Sequence, residues 1–157
     1  THVAVCGFSA GGHLTASLGV HYDLDILYEQ GLPDAPACRP DALILGYPVI
    51  SAGASKHAGS FKNLLGPDPS TDTVDLMSLD RQVTEATPPT FLWHTADDQA
   101  VPVENSIEFA MALRRHGVPF ELHVYPHGRH GLGLAPEDPH VATWVDLCCE
   151  WLGGMGW

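Results

Sequence analysis

Apolar residues recur along this chain in two rhythms. Residues 42–47 (Ala-Leu-Ile-Leu-Gly-Tyr) form a continuous apolar run closed by Pro48, the pattern of a strand covered on both faces. Residues 2–8 (His-Val-Ala-Val-Cys-Gly-Phe) predict a short buried strand, and residues 90–95, introduced by Pro88-Pro89, a third. Residues 120–125 predict a fourth. Helical spacing governs other stretches. Residues 10–20 are rich in small side chains (Ala10, Gly11, Gly12, Ala16, Ser17) and predict a helix lying close to a sheet. Residues 103–117 predict an amphipathic helix with Ile107, Ala110, Met111 and Arg114 at i, i+3, i+4 and i+7, stopped by Gly117 with Pro119 beyond. Residues 140–152 predict a last helix, with Val141, Trp144, Val145 and Cys148 on one face.

Strands alternating with helices imply an α/β fold, a mostly parallel sheet of about four strands with helices on both faces. Two stretches interrupt the alternation. Residues 21–40 hold Pro33, Pro36 and Pro40 and read as loop. Residues 51–89 are the least regular, with a short helix at 57–65 ending at Gly66-Pro67 and another turn within 76–83. This excursion is too long for a plain crossover and is expected to cover something, like a cap. No internal repeat divides the chain, so residues 1–157 read as one domain.

Charge narrows the partners. Seven Lys+Arg stand against 19 Asp+Glu, a formal net charge of −12. That excludes a basic footprint for nucleic acid and disfavours an anionic membrane surface. No stretch of eighteen apolar residues suggests a membrane span, and the start, Thr1-His2-Val3-Ala4-Val5, lacks the pattern of a signal peptide. Cys6, Cys38, Cys148 and Cys149 show no CxxC spacing, so reduced thiols in a cytoplasmic protein are the expectation.

Three motifs carry candidate chemistry, each just after an expected strand. Gly7-Phe8-Ser9-Ala10-Gly11 matches G-x-S-x-G between a strand and a helix. A strand turning that sharply leaves no room for side chains two residues either side of the serine, whose Oγ is left exposed on a strained backbone. The helix N-terminus beside it offers the Ala10 N–H to a developing oxyanion. His94-Thr95-Ala96-Asp97-Asp98 ends the third strand, where either aspartate could orient a histidine or merely cap the next helix. Tyr125-Pro126-His127-Gly128-Arg129-His130-Gly131 follows the fourth and can swing an imidazole over the serine. A metal at His127 and His130 lacks a third spaced ligand. The order Ser…Asp…His, each after a strand, belongs to one class of Ser-His-Asp enzymes and not the others.

With these motifs the chain resembles the α/β-hydrolase superfamily, and within it the acetyl esterase and acetylxylan esterase-like enzymes related to prolyl oligopeptidase. The resemblance extends to Asn63-Leu64-Leu65-Gly66, Pro88-Pro89-Thr90-Phe91-Leu92-Trp93-His94-Thr95 and Val101-Pro102-Val103-Glu104-Asn105-Ser106. In that pattern the acid stands four residues after the His94 position and four before Pro102, which selects Asp98. The resemblance implies a serine carboxylesterase acting on a small-molecule ester, with Ser9 as nucleophile, His130 as acid–base and Asp98 as its orienting carboxylate, and no cofactor. It also implies about a hundred further residues before the elbow, with a His-Gly-Gly-type loop giving a second oxyanion donor. The chain thus reads as the C-terminal part of an α/β-hydrolase domain. Residues 3–8 would then present an open apolar edge able to pair with another strand or copy. Tyr47, Phe61 and Leu64, with Leu65, are the expected substrate wall. A fragment without turnover and a prolyl oligopeptidase-like peptidase are the competing readings.

Overall fold

A computed structural model describes residues 2–24 and 35–157. Four strands, β1 (Ala4–Phe8), β2 (Ala42–Gly46), β3 (Thr90–Thr95) and β4 (Phe120–Tyr125), form one parallel sheet in the order β1-β2-β3-β4. The helices are α1 (Ala10–His21), α2 (Ala35–Cys38), α3 (Ala58–Leu65), α4 (Thr71–Leu76), α5 (Glu104–Arg115) and α6 (Trp144–Gly154). Single 3-10 turns lie at Leu79–Arg81 and Val141–Thr143.

The apolar runs sort by the two-residue period of a strand. Leu43, Leu45 and Leu92 point to one face and pack with Ala16 and Val20 of α1 and Phe109 and Leu113 of α5. Ile44, Phe91 and Trp93 point to the other and pack with Trp144 and Cys148 of α6. Every residue of β2 and β3 is buried, so these two strands run through the middle of the core; each large side chain fully buried there contributes about 1.5–3 kcal/mol relative to exposure. The register sets Phe8 opposite Gly46, Gly46 opposite Trp93 and Thr95 opposite Tyr125. The four carboxyl ends therefore form one rim.

Several local expectations need correction. β1 is not a buried strand: it pairs only with β2 among the described residues, most of it is half-buried, and Cys6 is exposed. The first helix runs on to His21, and a turn of helix at Ala35–Cys38 replaces part of the expected loop at 21–40; residues 25–34 of that loop lie outside the described residues. A helix at Thr71–Leu76 was not expected. Ser70 starts it, its side chain accepting from Thr73 N, with Asp72 in the first turn near the positive helix end.

The buried face of α5 also differs from the expected stripe. Ile107 and Met111 are 40% and 46% exposed, while Asn105, Ser106, Phe109, Ala110, Ala112 and Leu113 face inward. Two of those six are polar, which hid the true face from a count of apolar positions. Asn105 is fully satisfied: its Oδ1 accepts from Ile50 N and Ser51 N, and its Nδ2 donates to Ser55 O and Pro102 O.

Small residues let α1 approach β1 and β2. A Cβ at Gly7 would lie 2.2 Å from Gly11 O, and one at Gly12 would lie 2.7 Å from Pro48 Cβ. At Gly11 it would meet nothing within 4 Å, so the glycine two residues after Ser9 is not required by its own side-chain space. Gly7→Ala should therefore cost about 2–4 kcal/mol through a backbone clash that cannot relax locally. Gly11→Ala should be neutral or stabilise by up to about 1 kcal/mol as a helix former. Urea denaturation of both variants checks the contrast; equal effects would remove the steric account of the turn.

Candidate active site

Ser9 stands between β1 and α1 with φ 55° and ψ −121°, a conformation L-residues seldom adopt. Such backbone costs on the order of 1–3 kcal/mol and persists only when its surroundings hold it. Here Ser9 N donates to Gly46 O at 3.0 Å, while Ser9 O accepts from Val49 N at 3.1 Å and His13 N at 3.2 Å. The turn is thus stitched to the end of β2 on both sides. Ala10 is the first residue of α1, and the N–H groups of a helix's first turn have no partner within the helix.

The structure brings Ser9, His130 and Asp98 together. Ser9 Oγ is 2.7 Å from His130 Nε2, and His130 Nδ1 is 2.6 Å from Asp98 Oδ2. The other carboxylate oxygen, Asp98 Oδ1, accepts from Ala100 N at 2.8 Å and Val101 N at 3.1 Å. Burial alone would raise the Asp98 carboxyl, but the His130 hydrogen bond and the two backbone donors overcome it and hold the group below the usual carboxylate range. An ionised carboxylate only accepts. His130 therefore carries its proton on Nδ1 and presents the Nε2 lone pair to the Ser9 hydroxyl.

Asp97 has separate work. Its carboxylate accepts from His127 Nδ1 at 3.0 Å and from Gly128 N at 2.8 Å, and the His127 contact draws its carboxyl below the usual value. Thr95 Oγ1 donates to Gly128 O at 2.8 Å, and a Cβ at Gly128 would lie 2.6 Å from Thr95 Cγ2. The loop after β3 and the loop after β4 are joined by these contacts. His127 is occupied by Asp97, and no group of three or more metal-ligating side chains occurs among the described residues.

Tyr47, expected in the substrate wall, is buried behind His130 instead. Its ring meets the imidazole edge-on at 4.9 Å and Trp93 at 5.0 Å, and its hydroxyl accepts from Gly133 N at 2.9 Å. Its φ of 37° aims the ring there, with Tyr47 N donating to Trp93 O. Phe61 and Leu64 do line a cavity of about 300 Å³ next to Ala10, together with Val49 and Met77. Leu65 lines a different hollow, which shares Phe61 with the first.

Sequence reasoning did not find His94 as a site residue. It is completely buried below the acid loop. Nε2 donates to Val101 O at 3.0 Å, so Nδ1 accepts from Ser106 Oγ at 2.8 Å, and Asp98 Oδ2 lies 3.5 Å from Nε2. Burial lowers its pKa despite those partners. The available signal was its own position, a polar residue at the end of a buried strand. His13 and His21, on α1, pin the end of α4 by hydrogen bonds to Met77 O and Leu76 O.

The rim of parallel strands, the elbow serine and the order of the three groups define an α/β hydrolase, and solved structures of that fold match the chain. Its sequence matches the prolyl oligopeptidase family over residues 49–153, and the chain belongs to that family. It is 44% identical over 87% of its length to the endo-1,4-beta-xylanase B of Butyrivibrio fibrisolvens, of which it spans 21%. It is 34% identical over 98% of its length to the acetylxylan esterase of Xylanibacter ruminicola, spanning 29% of that protein. The crystal structure of an acetyl ester-xyloside bifunctional hydrolase from Caldicellulosiruptor lactoaceticus superimposes with a TM-score of 0.88 at 51% identity, over 98% of this chain and 56% of that one. The chain thus spans a fifth to a third of its curated relatives and about half of the solved enzyme. No helix among the described residues is long and apolar enough to cross a membrane.

Burial depresses the His13 and His94 pKa values, and the sign of the effect on stability follows. Below the unfolded value of about 6.5 the unfolded chain binds protons that the folded chain refuses, so stability is full above that pH and declines beneath it. Asp98, whose carboxyl is depressed, adds a second loss as pH falls through and below about 3.9. The urea midpoint should drop from about pH 7.5 to about pH 5, and His94→Asn should flatten that drop. An unchanged slope in the variant would separate His94 from the acid sensitivity.

Proposed function

We propose that the chain carries the serine carboxylesterase site of its enzyme, hydrolysing short-chain esters, acetyl esters of carbohydrates among them. The observation that carries this reading is the unbroken hydrogen-bonded line from Ser9 Oγ through His130 to Asp98 Oδ2, at 2.7 and 2.6 Å. The acetylxylan esterase of X. ruminicola and the acetyl ester-xyloside hydrolase of C. lactoaceticus, both similar along nearly all of this chain, support the choice of substrate.

In this mechanism Ser9 Oγ attacks the ester carbonyl as His130 Nε2 takes its proton. The tetrahedral oxyanion is held by the Ala10 N–H at the positive end of α1. His130 then gives the proton to the departing alcohol, and Asp98 steadies the imidazolium between the two transfers. Water, activated by the same imidazole, releases the acid from the acyl-enzyme. Asp97 holds the histidine loop without touching the reacting atoms. Residues 51–89 act as the covering segment, with Phe61 and Leu64 contributing part of the substrate wall and Tyr47 supporting His130 from behind.

A fluorophosphonate probe should label the protein at Ser9, and Ser9→Ala should abolish labelling. Asp98→Asn should lower turnover of p-nitrophenyl acetate by on the order of 10³–10⁴, because an amide supports the wrong imidazole tautomer. Asp97→Asn should cost far less. Equal losses from the two would reject the assignment of the acid. Membership of the prolyl oligopeptidase family keeps a peptidase as the second reading; faster cleavage of an aminoacyl-proline amide than of acetyl esters would favour it.

A further inference from the structure

Strand alternation turns His94 toward α5. On β3 it shares a face with Leu92, which packs on that helix, and its ring ends fully buried between the acid loop and Ser106. An apolar side chain would fill the same space without the risk of an unpartnered ring nitrogen. Both nitrogens are used, and their roles can be told apart. Val101 O only accepts, so Nε2, 3.0 Å away, carries the proton, and the Ser106 hydroxyl donates to Nδ1 at 2.8 Å. Burial lowers the His94 pKa against the pull of Val101 O and Asp98, so the ring stays neutral.

The partners of this imidazole lead back to the triad. Val101, held by its carbonyl, gives its N–H to Asp98 Oδ1 at 3.1 Å, beside Ala100 N at 2.8 Å. Asp98 Oδ2, which accepts from His130 Nδ1 at 2.6 Å, lies 3.5 Å from His94 Nε2. The carboxylate is therefore set between two imidazoles. One takes its hydrogen bond, and the other holds the loop that aims it. Connected contacts run from Ser106 through His94, Val101, Asp98 and His130 to Ser9. With Val101 free to turn, Asp98 Oδ1 would lose a donor and the carboxylate would rotate more freely about its Cβ–Cγ bond. Oδ2 would then face His130 Nδ1 for less of the time, and the tautomer of His130 depends on that contact.

We propose that His94 is a positioning residue of the triad: as a neutral Nε2–H imidazole fixed between Ser106 and Val101, it anchors the acid loop and keeps Asp98 turned toward His130. Its effect on turnover rests on the esterase reading above, whereas its effect on the His130 tautomer does not. His94 touches no reacting atom and gives up no proton.

The test joins NMR of isotope-labelled histidine nitrogens, at about pH 8 where an ordinary histidine is neutral, to kinetics with p-nitrophenyl acetate. The His94 and His130 signals are assigned by their loss in His94→Gln and His130→Gln. In the unsubstituted chain His94 should be the Nε2–H form and His130 the Nδ1–H form. His94→Leu, which keeps bulk without the donor, should move part of His130 to its Nε2–H form and lower kcat by on the order of 10–10² with KM unchanged. His94→Gln, whose amide can donate from the place of Nε2, should recover most of both. Val118→Ala, which thins the core just before β4, should leave the His130 tautomer as it is. If His94→Leu does not fold, His94→Asn replaces it, since its amide stands at the place of Nδ1. An Nδ1–H or doubly protonated His94 in the unsubstituted chain overturns the positioning role. So does a His130 tautomer untouched in the folded variant, and in both cases the esterase reading stands. No turnover by the unsubstituted chain, with the His130 tautomer still moved in the variant, counts against the esterase reading and supports the anchor.

Discussion

The site depends first on the backbone of one residue. Ser9 adopts φ 55°, and it stays there because its N–H and carbonyl are tied to Gly46, Val49 and His13. The Gly46 and Val49 ties come from the end of β2 and the residues after it, so the turn is anchored to a fully buried strand. The close approach at Gly7 and the register that sets Phe8 opposite Gly46 deliver the serine to the rim. Without that clamp the hydroxyl would have many orientations, and the 2.7 Å contact with His130 would be one of them.

The other two groups are steadied by different means. Asp98 is fixed by two backbone donors on one oxygen and His130 on the other. His130 sits on a loop that depends on side chains, with Tyr47 beneath it, Tyr47 Oη gripping Gly133, and Asp97 and Thr95 gripping Gly128. Neighbouring aspartates thus divide two tasks that one carboxylate could not perform together. One positions an imidazole and the other positions the loop that brings the imidazole there.

The middle of the sheet was legible because β2 and β3 are short apolar runs marked off by prolines. Pro48 closes β2 and Pro88-Pro89 opens β3, and the strands at Thr90–Thr95 and Phe120–Tyr125 have the expected ends. The fold class was readable for the same reason. What failed was inference from apolar content where polar residues are buried or apolar ones exposed. Asn105 and Ser106 face the core because their hydrogen bonds are met there, which turned α5 away from its Ile107–Met111 stripe. Thr71–Leu76 carries only Val74 and Leu76 as apolar signal, so its capping serine was the better clue. At the site, the three groups brought together were legible from motif order, and the preference for Asp98 from family spacing. His94 and the placement of Tyr47 were not, because each depends on contacts between segments distant in sequence.

Asn105 adds a consequence for how the molecule ages. Its amide is shielded in the seam between α5 and residues 50–55, with both donors and its acceptor in use. Asparagine is among the thermolabile residues, and this one precedes a serine. While the chain is folded the amide is out of reach of hydrolysis. In an unfolded chain it is exposed, and conversion to a carboxylate would replace the two N–H bonds with oxygen facing the carbonyls of Ser55 and Pro102. A molecule altered in that way cannot close the same seam again. Chemical lifetime is therefore coupled to time spent unfolded, and each excursion carries a small irreversible toll.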